Sequence, residues 1–125
     1  MAAFARIVLP LVFSMTVAAP LASAAELVFV DRAGCPYCAK WEREVAPLYH
    51  KTPEGQKAPL RKVSLDQGQP AGAASPVRFT PTFLLMDEGR EIGRITGYID
   101  QGMFWGMLTK FMERLEPRAA GEAKG

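Results

Sequence analysis

Glu26-Leu27-Val28-Phe29-Val30-Asp31-Arg32-Ala33-Gly34-Cys35-Pro36-Tyr37-Cys38 is the stretch that decides the fold. Its first six residues form a nearly continuous apolar run rich in β-branched side chains, the pattern of a strand buried on both faces. Ala33-Gly34 breaks the run. From Pro36 the period becomes helical, with Trp41, Val45 and Leu48 spaced by four and three. Pro36 fits the first turn, where a missing N–H does no harm. The spacing predicts a helix from Pro36 to about His50, bent or ended near Pro47. A buried strand that turns sharply into a helix thus places Cys35 and Cys38 at the helix N-terminus.

Further along, Thr52 to Pro59 carries two prolines and a glycine and reads as an exposed connection. Leu60 to Asp66 alternates as a second strand, and Gln67 to Val77 holds at most a helical turn. Phe79-Thr80-Pro81-Thr82-Phe83-Leu84-Leu85-Met86 enters a third strand after Pro81. Asp87 to Arg90 then turns the chain into a fourth strand, Glu91 to Thr96, antiparallel to the third. Phe104, Met107, Leu108, Phe111, Met112 and Leu115 make an apolar stripe on a last helix that Pro117 stops. The order is β-α-β, then β-β-α. A crossover helix makes the first strand pair parallel, and the hairpin adds an antiparallel pair. The expected class is α/β, a minimal mixed four-stranded sheet with helices on its faces.

With 125 residues the chain has room for one domain, and a net charge of +2 argues for no nucleic-acid partner. Residues 1–24 read as a signal peptide: Arg6, an apolar run from Ile7 to about Ala19, then Ala22-Ser23-Ala24 as a cleavage site. The run is interrupted by Pro10 and, at about 13 residues, falls short of the ~20 that span a bilayer. Cleavage, with no stable membrane insertion afterwards, is therefore expected over an uncleaved inner-membrane anchor. The expected divisions are 1–24 leader, 25–117 folded domain and 118–125 polar tail, with the periplasm of a bacterium as the working compartment.

Two cysteines two residues apart close too small a loop to act as a staple on the unfolded chain. Their place offers another role. A helix N-terminus presents unpaired N–H groups and partial positive charge, which stabilise a thiolate. Cys35, the more exposed, is the candidate nucleophile, and Cys38 the thiol that resolves a mixed disulfide. A closed zinc site needs four ligands, but the sequence offers these two and His50, about 18 Å away along a helix rising 1.5 Å per residue. A two-thiolate copper(I) carrier is the alternative of a different class. Met103, Met107 and Met112 could suggest copper, but two of them lie on the apolar stripe, where core packing explains them.

The strand, then Gly34-Cys35-Pro36-Tyr37-Cys38, then Thr80-Pro81-Thr82, resembles the thioredoxin-like superfamily across nearly the whole domain. The resemblance implies that Pro81 is a cis-proline facing the cysteines and that Thr80 offers backbone groups to an extended substrate. Gly97-Tyr98 is similar to the family's closing segment, and Pro36-Tyr37 is a dipeptide shared with glutaredoxins and some periplasmic disulfide isomerases. The match is nearest to the exported thioredoxins of bacterial sulfur-oxidation systems, the SoxS type, whose implied role is to keep a carrier protein's cysteine reduced. It further implies a monomer, no bound cofactor beyond the Cys35–Cys38 disulfide, a client protein with a cysteine or disulfide, and a membrane dithiol donor upstream. The same chemistry run as an oxidase or isomerase is the alternative direction. There are departures from the family: no tryptophan immediately precedes Cys35, and Phe29 stands where many thioredoxins bury an acid, so that proton transfer falls to another group or to water. Asp31 and Lys40 are near enough in sequence to be candidates, although exposed, solvated charges are the favoured reading of both. Trp41 reads as core or groove wall.

Overall fold

The computed structural model describes residues 25–115, so the leader reading at 1–24 and the tail reading at 118–125 lie outside the described residues. Strand β1 (Ala25–Asp31) runs parallel to β2 (Leu60–Ser64) and antiparallel to β3 (Thr82–Asp87), which pairs antiparallel with β4 (Arg90–Thr96). The sheet order is β2-β1-β3-β4. β1 is central, which is why its apolar run does not alternate. Leu27 and Phe29 enter the core on one face, and Val28 and Val30 enter the core on the other.

The expected single helix is two helices, α1 (Pro36–Glu44) and α2 (Ala46–Tyr49). Pro47 has no N–H for the Arg43 carbonyl, and its ring would collide with that carbonyl in an unbroken helix. Val45, at φ −116°, absorbs the break and still donates its N–H to the Trp41 carbonyl at 2.8 Å. The restart turns Leu48 outward, 52% exposed, and Tyr49 inward. The apolar face therefore runs Trp41, Val45, Tyr49, which corrects the expectation at Leu48. The Tyr49 hydroxyl donates to the buried Ala58 carbonyl at 2.6 Å.

The segment from Thr52 to Pro59 also differs from expectation, because it contains helix α3 (Pro53–Lys57). Thr52 caps it, its hydroxyl accepting from Gly55 N–H and donating to the Tyr49 carbonyl. Gly55 is there for close approach: a Cβ would lie 1.9 Å from the Tyr49 oxygen.

Helix α4 (Gln101–Met112) completes the layer over one face of the sheet. There Phe29, Trp41, Phe83 and Phe104 interlock with ring centroids 4.6 to 5.6 Å apart. Phe111, Met107 and Leu115 pack against this core, and Met112 lies within it. The opposite face, with Val28, Val30, Leu84 and Met86, is covered by Val77 and Ala73 from the irregular 67–77 segment. That segment is fastened by polar groups. Gln69 brackets the Val77 backbone through both amide atoms, Arg94 donates to the Ser75 carbonyl, and the Glu91 carboxylate accepts from Ala74 N–H.

Two buried tyrosines tie stability to pH. Burial holds Tyr49 well above the ordinary tyrosine value, reinforced by the nearby Glu54 charge. Burial and the hydrogen bond to the Glu44 carboxylate hold Tyr98 above it as well. An unfolded tyrosine loses its proton at about 10. Above that pH the folded chain binds more protons than the unfolded one, so this contribution is intact below about pH 10 and is lost as pH rises further. Urea midpoints measured against pH should fall above about pH 10, less steeply in Tyr98→Phe; a flat profile would contradict both burials.

Candidate active site

β1 ends in a turn that delivers the cysteines to the top of α1. Gly34 sits at φ +74°, a left-handed conformation that suits glycine, and lets the chain reverse within two residues. Cys35 is the N-cap of α1 and Pro36 its first residue. The Cys35 sulfur accepts a hydrogen bond from Cys38 N–H at 3.2 Å, so it takes the place of a capping oxygen. The two cysteines are joined as a disulfide with Cα atoms 5.3 Å apart. Cys35 is half-buried, whereas Cys38 is only 3% exposed and belongs to the aromatic core cluster. A partner can therefore reach one sulfur and not the other.

The Thr80–Pro81 peptide bond is cis, as the resemblance implied. The Pro81 carbonyl accepts from Gly97 N–H at 2.7 Å, and the Thr82 hydroxyl donates to the Phe79 carbonyl at 2.6 Å. An apolar hollow opens here, lined by Tyr37, Thr80, Pro81, Gly97, Tyr98 and Ile99. Its rim carries large exposed apolar side chains, Tyr37 at 60% and Ile99 at 63%, with Phe79 nearby at 68%. Tyr37, two residues after Cys35, links this hollow to the end of α1 that carries the disulfide.

Lys40, a candidate proton carrier by sequence, lies elsewhere in role. Its ammonium donates to the Ile99 carbonyl at 2.7 Å and stands over the Tyr98 ring. The Tyr98 hydroxyl in turn donates to Glu44 at 2.5 Å. Together these contacts pin the Tyr98-Ile99 wall of the hollow to α1. The sequence hid this wall, because its two anchors lie more than fifty residues upstream. Asp31, the other candidate, lines a second concavity together with Cys35, Cys38 and Glu42. Trp41 is wholly buried in the core and does not line either hollow.

Among the described residues, no three His, Cys, Asp or Glu side chains gather as metal ligands. No described helix is long and apolar enough to cross a membrane.

A family model described as a thioredoxin-like domain matches residues 14–112. Among solved structures, the chain is similar to the periplasmic thioredoxin SoxS of Paracoccus pantotrophus in its reduced form. The two are 40% identical, over 73% of this chain and 98% of that one, with a TM-score of 0.69. Trxlp from Edwardsiella tarda is 27% identical over 69% of this chain and 82% of its own, at a TM-score of 0.52. Fasciola hepatica thioredoxin, at 21% identity over 71% of this chain and 82% of its own, shares the fold with a TM-score of 0.53. Among curated proteins none matches the sequence.

Proposed function

Because this chain belongs to the thioredoxin-like family and is a thiol–disulfide oxidoreductase, we propose that it is an exported protein-disulfide reductase of the bacterial periplasm. The observation that carries this reading is the asymmetric cysteine pair at the top of α1: a reachable Cys35 backed by a buried Cys38. In the reduced protein the Cys35 thiolate attacks a client disulfide, forming a mixed disulfide and releasing one client thiolate. Cys38 then attacks Cys35; the Cys35–client bond breaks, the second client thiolate leaves, and the Cys35–Cys38 disulfide forms. The client gains two electrons and the cysteine pair loses two. Pro36 and Tyr37 shape the approach to Cys35, and Thr80 with Pro81 receives the client's backbone in extended form beside the apolar hollow.

The chain works as a monomer after removal of residues 1–24, its domain ending near 117 and followed by a polar tail at 118–125. It needs no bound cofactor. A dithiol protein of the inner membrane re-reduces it, and its client is a carrier protein of sulfur oxidation whose cysteine it keeps free. The likeness to a periplasmic thioredoxin SoxS over 98% of that protein's length supports this assignment.

The reduction potential tests the direction. Equilibrated against glutathione buffers, the domain should have a value of about −250 mV or lower, close to the roughly −270 mV of thioredoxin. A value of about −120 to −180 mV would instead make it an oxidase or isomerase.

A further inference from the structure

Cys38 poses a problem that the two cysteines do not solve themselves. It is 3% exposed within a cluster containing Phe29 and Trp41, and such apolar burial opposes the loss of its proton. Yet it must become a thiolate to attack the mixed disulfide. Phe29, beneath it on β1, offers no base.

Strand parity points to one that does. Leu27 and Phe29 face the Cys38 side of the sheet, whereas Val28 and Val30 face away. Asp31, next in the odd series, faces the Cys38 side at the mouth of the strand. It lines the same concavity as Cys35 and Cys38. Its carboxylate is held by the Lys62 ammonium at 3.1 Å, and Lys62 also binds Glu42 of α1 and stands over the Phe29 ring. Asp31 is the more enclosed of the two acids, its side chain 19% exposed against 40% for Glu42. The charged groups around it are Lys62 from β2, Glu42 from α1, and Arg32 from the following turn, itself paired with Asp66.

From this arrangement we infer that Asp31, tethered by Lys62, is the proton acceptor for the resolving thiol. In the second step the Cys38 proton passes through the concavity to the Asp31 carboxylate as the Cys38 sulfur attacks Cys35. The client thiolate leaves, and Asp31 returns the proton to solvent. No oxidant or reductant beyond the mixed disulfide is needed. Lys62 is the positioning residue: it fixes which way the carboxylate faces.

This inference rests on the assignment of Cys35 as nucleophile, and one experiment separates the two. The reduced protein is mixed with a nitrobenzoate disulfide whose released thiolate absorbs visible light. The first equivalent reports attack by Cys35, the second reports resolution by Cys38. In Asp31→Asn the first phase should keep its rate and pH profile. The second should slow about tenfold or more near pH 7, at or below the usual contribution of a positioned base, and recover as pH rises. Asp31→Glu should restore part of it, and Glu42→Gln, which leaves the Asp31 carboxylate in place, should keep the first phase and slow the second less than Asp31→Asn does. A second phase in Asp31→Asn that superimposes on the parent, equal slowing of both phases, or a deficit carried by Glu42→Gln instead would overturn the role of Asp31. Failure of the first phase in the parent protein would strike at Cys35 itself.

Discussion

Replacing Cys38 by Ala should turn the enzyme into a trap. The substitution leaves Cys35 at the helix cap and removes the only sulfur placed to release what Cys35 captures. Incubated with a protein disulfide, Cys38→Ala should accumulate a covalent adduct on non-reducing gels that a small thiol dissolves. Turnover should drop by a factor on the order of 10³ or more, as when one member of a cooperating catalytic group is deleted. Cys35→Ala should lose as much turnover and form no adduct, since the remaining sulfur is only 3% exposed. The contrast between the two variants carries the assignment. Adducts formed equally well by both would mean that Cys38 is reachable and that the division of labour is wrong. Adducts from neither would remove thiol exchange with proteins altogether.

The second large effect concerns what holds that pair in place. Phe83 on β3 touches three rings at once: Phe29, its cross-strand partner, at 5.3 Å, and Trp41 and Phe104, each at 4.9 Å. It is fully buried. Phe83→Ala should cost about 3–5 kcal/mol from lost transfer energy and the cavity left behind. Against a total stability of about 5–15 kcal/mol, that should lower the urea midpoint severely or leave the domain largely unfolded at 37 °C. Phe79→Ala, four residues earlier and 68% exposed, should change stability by no more than about 0.5 kcal/mol. A loss below about 1.5 kcal/mol at Phe83 would show that its neighbours close the gap.

Much of this was legible in the residues, for reasons that can be named. β1 announced itself because a central strand needs no polar side. The α/β order followed from periods that change at Gly34 and Pro81, and the cysteine pair and Thr80-Pro81 are local motifs. The thioredoxin-like family and its oxidoreductase chemistry could therefore be anticipated. What escaped were contacts between distant residues and features where two local signals compete. Proline and glycine made 52–59 look like a bare connection, although Thr52 before Pro53 is a helix start by the rules of capping. Leu48 is more apolar than Tyr49, yet Tyr49 is buried because the break at Val45 turns it toward the Ala58 carbonyl. Lys62 joins Asp31 to Glu42 across two other elements, and nothing in the spacing of those three residues reveals it.

The placement of β1 in the middle of the sheet also has a consequence in time. This strand leaves the ribosome before every other element of the described domain, yet its neighbours are β2 and β3, and Ala25 pairs with Asp87. Its ladder with β2 must wait for residue 64 and its ladder with β3 for residue 87, and the entropy of closing those long loops slows the pairing further. The most apolar strand thus spends its early life unpaired. That is a hazard for a protein finishing in the cytoplasm, but it is the condition a chain must keep if it is to be threaded through a membrane before it folds.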